Sequence, residues 1–316
     1  MGIKSMLKKG KSFVKDMCFI IKVNIQKSEI RKGNGKYFII RYDSSMQAGW
    51  TVWERVVLYG CIYASDHKMV PVVDMKNFSS IYQEDSDFGK VNIWDKYYLQ
   101  PAGVSLEKAI ESGNYVLSDT SQDWFNYVRM RRTKCRDTEY LRKCYQKFIR
   151  NNKQTLQIVR NNYNLMLQNA GFPKKARLLG ICMRGTDYRE FHHMKQPEIS
   201  SLSILAKEAV KEFNFDGVFI ATEDKQLFNA FKNSIPEVKF CYFKAGEFEN
   251  TKGYIGDVIR QEKTAHEAAI DYLTVLYSLN CCSGLGGGNC GATIVAQYKR
   301  KTEYEYLNII DLKEFY

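Results

Sequence analysis

Leu178-Leu179-Gly180-Ile181-Cys182-Met183-Arg184-Gly185-Thr186-Asp187-Tyr188 is the stretch on which the reading of this chain turns. Its apolar half predicts a buried strand. The strand ends abruptly in Arg-Gly-Thr-Asp-Tyr. In an open α/β sheet, ligands sit outside the carboxyl ends of the strands. An Arg delivered there forks onto a phosphate or carboxylate, and Asp187 beside it orients that Arg or handles a proton. Taken alone, the motif fits an ordinary strand-end ion pair equally well.

Two later segments repeat the pattern. Gly217-Val218-Phe219-Ile220-Ala221-Thr222-Glu223-Asp224 is another apolar run that ends in carboxylates. Leu279 to Gly291 reads as a short strand near 280–283 that opens into the glycine loop Ser283-Gly284-Leu285-Gly286-Gly287-Gly288-Asn289, with a helical run from Ala292 behind it. Backbone N–H groups in such a loop, ahead of a helix N-terminus, form an anion site. The expected donor-binding residues are therefore Arg184, Thr186, Thr222, Glu223, Asp224, Ser283, Gly286, Gly287, Gly288 and Asn289. Capping of the next helix is an equally simple role for Asp224. Gly286 to Gly291 also spells GxGxxG, but a dinucleotide fingerprint belongs in the first βα turn of a domain. Too little chain follows it here for an NAD enzyme.

Working outward, the second half alternates strands near 178–183, 217–221, 238–243, 280–283 and 307–310 with helices near 200–213, 225–233, 264–279 and 291–299. That alternation predicts a doubly wound α/β domain over residues 173–316. Gly171-Phe172-Pro173 is its boundary signal. Upstream, Tyr37-Phe38-Ile39-Ile40-Arg41-Tyr42 predicts a strand, Trp50 to Ala64 a helix, and Met69 to Asp74 a second strand, which together make a βαβ unit. Residues 75–123 read as irregular with short helices, and 137–169 as one or two long helices. Residues 37–172 are thus expected to form a first α/β domain, behind a leader of 36 residues.

The 316 residues carry a net charge of +12, nine Cys and four His. No Cys spacing suits zinc, and the predicted state is reduced thiols in a cytoplasmic protein. With so few His, a His-rich metal site is not expected. Asp85-Ser86-Asp87 is a DxD of the kind that binds Mg or Mn, but it lies in a polar run and reads as a loop. The metal expectation is therefore none.

The charge is concentrated. Residues 1–36 hold ten Lys/Arg against two acids, and residues 129–160 hold eleven against two. In the leader, Ile3, Met6, Leu7, Phe13, Val14, Met17, Ile20 and Ile21 fall mostly on one side of a helix, with lysines opposite. The run Met17–Ile25 is too short to span a bilayer, and no signal-peptide cleavage site follows it. Residues 1–28 are expected to lie on an anionic membrane surface as a basic helix. The alternative is a helix packed on its own protein. The second basic segment reads as one solvated helix face, since no nucleic-acid motif accompanies it. A protein without catalysis that uses these segments to bind membrane or nucleic acid is the competing functional class.

Arg-Gly-Thr-Asp-Tyr after a strand resembles the H-x-R-R-x-D signature of the fucosyltransferase superfamily, which includes bacterial α1,2- and α1,6-fucosyltransferases and protein O-fucosyltransferases. Ala221-Thr222-Glu223-Asp224 resembles the second motif of that group, A-T-D-D, and His266 to Ala296 resembles the third. The resemblance covers roughly residues 175–300 and departs at Cys182 (usually His), Gly185 (usually Arg) and Gly286–Gly288 (usually Ser or Thr). It implies the GT-B architecture, two Rossmann-like α/β domains facing a cleft. It further implies a metal-independent inverting glycosyltransferase with no cofactor beyond its nucleotide-sugar donor, GDP-linked, and a glycan acceptor that is lipid-linked where it is a growing surface polysaccharide. Such an enzyme would work in the cytoplasm, at the inner membrane face. The departing diphosphate needs positive charge, which Arg184 suits. The attacking hydroxyl needs a base, with Asp187, Glu190 and His192 as candidates. His192 alone has an ordinary pKa near neutrality, and related α1,6-enzymes place an acidic catalytic group four residues beyond the equivalent of Tyr188. A surface-loop role for His192 stays open. On the acceptor side, the loop ending in Gln47, Gly49 and Trp50 is expected to face the cleft.

Overall fold

The computed structural model describes residues 37–41, 49–77, 80–118, 137–185, 188, 193–249 and 255–314. The basic leader, Gln47, Thr186, Asp187, Glu190 and His192 lie outside these residues, as does the first part of the second basic segment.

Among the described residues, eight strands form two all-parallel sheets. The first half contributes β1 (Tyr37–Ile40), α1 (Trp50–Asp66), β2 (Val70–Val73), the short α2 (Ile93–Tyr97) and α3 (Leu106–Glu111), and β3 (Tyr115–Leu117). The strand order is β2-β1-β3. Two helices, α4 (Thr138–Phe148) and α5 (Lys153–Asn169), fill the span expected to hold one or two; Asn152 caps the second through the Thr155 N–H, 2.9 Å away. The second sheet is built from β4 (Leu178–Cys182), α6 (Ile199–Glu212), β5 (Gly217–Ala221), α7 (Lys225–Ser234), β6 (Phe240–Tyr242), α8 (Ile255–Glu262), α9 (Ala265–Cys281), β7 (Gly284–Gly288), α10 (Gly291–Lys299) and β8 (Tyr306–Ile310). Its order is β6-β5-β4-β7-β8.

The apolar runs are continuous because both faces of each central strand are covered. Leu178 and Cys182 pack with α5, α9 and α10, whereas Leu179 and Ile181 pack with α6 and α7. The two sheets also share a core. Phe38, Ile40, Trp50, Trp53 and Val57 lie in one apolar cluster with Ala269, Leu273 and Val295 of α9 and α10.

One element is moved relative to expectation. Residues 280–283 are not a strand: α9 runs through Cys281, and the strand is the glycine run itself. β7 is squeezed between β4 and β8 with its neighbours' side chains pressing in. A Cβ at Gly286 would lie 2.9 Å from Leu205 Cδ2 and 3.0 Å from Ile181 Cδ1. Glycine is retained there for close packing rather than for a loop. β3 was also not foreseen. It is only three residues long, Tyr115-Val116-Leu117, with exposed outer side chains at the sheet edge, so its apolar run is too short to read as a strand.

Candidate functional site

Strand order locates the site before any side chain is considered. From β4 the chain steps to β5 and β6 on one side, then crosses back to β7 and β8 on the other. The switch point therefore lies between the carboxyl ends of β4 and β7, where ligands of open α/β sheets bind. Arg184 and α10 flank it.

Met183 extends the β4–β5 pairing by donating its N–H to Ala221 O at 2.9 Å. Arg184 follows, and its Nη1 donates to Glu223 Oε2 at 3.0 Å. Glu223 Oε1 takes the Gly185 N–H at 3.4 Å. The guanidinium stands 4.9 Å over the Tyr188 ring. Carboxylate and ring hold it in one orientation while the side chain stays 22% exposed toward the edge.

Asp224 takes the simpler of its two expected roles. Its Oδ1 accepts the N–H groups of Gln226 at 2.8 Å and Leu227 at 3.0 Å, which caps α7. That cap explains Gly185. A Cβ there would collide with Asp224 Oδ2, so this chain has no room for a second arginine beside Arg184. Thr222 is buried and turns inward, accepting the Asp224 N–H through Oγ1 at 3.2 Å.

Across the switch point, α10 begins at Gly291 with Cys290 as its N-cap. The opening turn of a helix leaves the N–H groups of its first residues without intrahelical acceptors, and here these belong to Gly291 and Ala292. Thr51 of α1 lies directly against Gly291, so that a Cβ on Gly291 would clash with its hydroxyl. The first turns of α1 and α10 thus meet, and the carboxyl edges of the two sheets converge on the same place. Gly49, the N-cap of α1, borders open space.

Several expected donor and acceptor residues are placed elsewhere. Gly286 and Gly287 are interior strand residues whose N–H and C=O groups belong to parallel ladders with β4 and β8, so they form no anion nest. Ser283 sits at the opposite, amino end of β7, donating its N–H to Leu178 O at 2.8 Å. Gly288 reaches the correct edge, but Gln196 is packed against it. Asn289 also reaches that edge, and its side-chain amide donates to Asp311 Oδ2 at 3.1 Å. Trp50 is fully buried, donating Nε1–H to Tyr98 Oη at 2.6 Å within an aromatic cluster, and cannot meet an acceptor.

Sequence reading misses two features, one at this edge and one on the smaller sheet. Cys182 and Cys290 bring their sulfurs to 3.6 Å, both buried. The Cys182 thiol beside it, the Thr293 amide and Arg184 hold the Cys290 thiol below the ordinary thiol range despite burial, while Cys182 is raised. The second feature is the switch point of the smaller sheet, between β1 and β3. There Arg41 Nε donates to Asp74 Oδ2 at 2.8 Å, and the Arg41 N–H donates to Ser118 Oγ at 2.7 Å. The signal was the same as for Arg184: a charged residue ending an apolar run.

Asp85 and Asp87 lie in a single 3-10 turn, where Asp87 pairs with Lys96 at 2.5 Å. Among the described residues, no group of three or more His, Cys, Asp and Glu is placed to hold a metal ion. Among the same residues, no helix is long and apolar enough to cross a membrane.

No protein-family model matches the chain, and no curated protein sequence matches it. Solved structures do. The fucosyltransferase NodZ from Bradyrhizobium aligns over 89% of this chain and 96% of its own, with TM-score 0.50 and 13% identity. An Arabidopsis thaliana FUT1 variant in complex with GDP aligns over 92% of this chain and 78% of its own, with TM-score 0.48 and 10% identity. With its two parallel sheets and the order of their elements, the chain has the GT-B-type α/β fold of the fucosyltransferase NodZ.

Proposed function

We propose that this protein is a fucosyltransferase-like glycosyltransferase that moves a sugar from a nucleotide diphosphate to a glycan hydroxyl. The observation that carries the reading is Arg184, held by Glu223 at a topological switch point and in electrostatic reach of Cys290, the N-cap of α10. An arginine fork and a helix N-terminus on one crevice form a site for a diphosphate. The motif resemblance favours GDP. The division into an acceptor-side domain (37–172) and a donor domain (173–316) is part of the same proposal.

The chemistry follows from that placement. The acceptor oxygen attacks the anomeric carbon from the face opposite the diphosphate, and the carbon–oxygen bond to phosphate breaks with its electron pair. Arg184 and the Gly291 and Ala292 amides receive the developing charge, which is how a transferase works without a metal. The hydroxyl proton passes to a base after β4, for which Asp187, Glu190 and His192 are the candidates. Arg41 and Asp74, at the second switch point, stand on the acceptor side.

The test is a thermal-shift panel of nucleotide diphosphates on the full chain. A ligand that binds the folded state raises the melting temperature, by mass action. GDP should give the largest rise, and EDTA should not diminish it or the transfer activity. A flat panel would remove the donor site, and loss with EDTA restored by Mn would favour the DxD class through Asp85 and Asp87. The basic leader extends the proposal: residues 1–28 hold the enzyme on anionic lipid, near a lipid-linked acceptor.

A further inference from the structure

The Cys182–Cys290 pair is not used by the transfer chemistry. Cys182 closes β4, the strand that delivers Arg184, and Cys290 is the N-cap of α10, across the switch point from it. A sulfur pair at 3.6 Å therefore spans the two walls of the crevice. Its members sit 108 residues apart, in elements joined by the β4–β7 ladder. Each is more than nine-tenths buried, and Cys290 has a specific role in the reduced state. The Cys290 Sγ serves as the acceptor cap for Thr293, whose hydroxyl in turn accepts the Cys290 N–H at 3.1 Å.

We propose that Cys182 and Cys290 are an oxidation site, forming a disulfide that disables the donor crevice. The inference rests on the donor reading for its consequence but not for the bond itself. The co-reactant is a peroxide. The Cys290 thiolate attacks one oxygen of hydrogen peroxide, the O–O bond breaks, and hydroxide leaves. Cys290 is then a sulfenic acid. The Cys182 sulfur attacks that sulfur, the S–O bond breaks, and the second hydroxide leaves. With the two thiol protons, both hydroxides become water. Two thiols lose two electrons, and one peroxide is reduced to two waters.

Several neighbours favour Cys290 as the attacking sulfur. The thiolate is the nucleophile in such chemistry, and helix N-termini and guanidinium groups stabilise it. Cys290 has both, with Arg184 in electrostatic reach. Closing the gap to a bond of about 2.05 Å draws the α10 cap toward β4. The Sγ is then lost as the cap of Thr293, and the first turn moves relative to Arg184. Gly287, with φ of +130° and opposite Cys182 in the ladder, holds β7 in place while the cap moves.

The experiment uses the reduced, full-length protein at neutral pH. After hydrogen peroxide, non-reducing digestion and tandem mass spectrometry should find residue 182 joined to residue 290, and dithiothreitol should remove the link. The melting-temperature rise given by GDP should vanish on oxidation and return on reduction. In Cys182→Ser no link should form, and Cys290 should stop at a sulfenic acid that dimedone labels. Free Cys182 and Cys290 thiols, at a dose that oxidises the half-exposed Cys144 and Cys281, would overturn the proposal. A link that leaves the GDP response intact would overturn its effect on the crevice. If GDP never shifts the reduced protein, the donor reading fails instead, and the link is still read directly by mass.

Discussion

Arg184 is the residue on which function is most exposed to test. Its guanidinium is fixed by Glu223 on one side and Tyr188 on the other, so little rotamer freedom is left to lose when a diphosphate arrives. Arg184→Ala is expected to abolish transfer and weaken GDP binding by about 2–4 kcal/mol, the scale for losing a buried charged hydrogen-bond partner. Calorimetric titration with GDP measures this. Arg184→Lys should not restore it, since an ammonium cannot fork; normal turnover in either variant would sink the assignment. At the same scale, Gly185 shows how a residue choice is enforced by one local contact. The carboxylate that caps α7 occupies the space a larger residue would need. Asp224 was legible as a cap from its place before a helix, but its pressure on Gly185 was not, because that contact joins two different strand ends.

At the scale of elements, the glycine run is the instructive case. Its residues spell a phosphate-loop pattern, and sequence reading opens it into a loop. The structure makes it an interior strand because its neighbours leave room for nothing larger. A difference in cost follows. A Cβ on Gly286 crowds the ends of the Leu205 and Ile181 side chains, which can move, and meets backbone only at an ordinary 3.6 Å from Asn308 O, so Gly286→Ala should cost about 1–2 kcal/mol as ordinary overpacking. A Cβ on Gly287 meets the Cys182 backbone, and φ is +130°, so Gly287→Ala should cost about 3 kcal/mol or more. Urea unfolding of the two variants decides it. Equal costs would mean that β7 is looser than its packing implies. The helices were easier to read. Thr264 and Glu267 form a reciprocal capping box at the start of α9, a local signal that needs no tertiary partner.

At the scale of the whole molecule, the two halves are tied together by a buried polar cluster as well as by apolar packing. Glu54 of α1 is fully buried, accepts a hydrogen bond from Tyr98, and lies 3.5 Å from Lys299 at the end of α10. Removing it takes the acceptor from the Tyr98 hydroxyl proton and the carboxylate from Lys299. Glu54→Ala is expected to cost about 2–4 kcal/mol, and Glu54→Gln less, since an amide keeps the hydrogen bond. Thermal unfolding that is unchanged in Glu54→Ala would show the cluster to be idle. Deleting residues 1–28 should release the protein from anionic vesicles and largely spare transfer to a soluble acceptor sugar. Unfolding of the shortened chain would place the leader in the core instead. What the sequence determined by itself was whatever short-range physics writes into consecutive residues. Apolar runs gave the β4 and β5 strands, helical periodicity and caps gave the helices, and alternation gave the α/β class. The polar ends of the runs marked Arg184, Glu223 and Asp224. Only the tertiary structure decided that Gly286 and Gly287 are ladder rather than loop, and that Trp50 is core. It alone set Ser283 at the far edge and brought Cys182 to Cys290. Each of those depends on which strand lies beside which, and strand order is fixed by packing between residues distant in the chain.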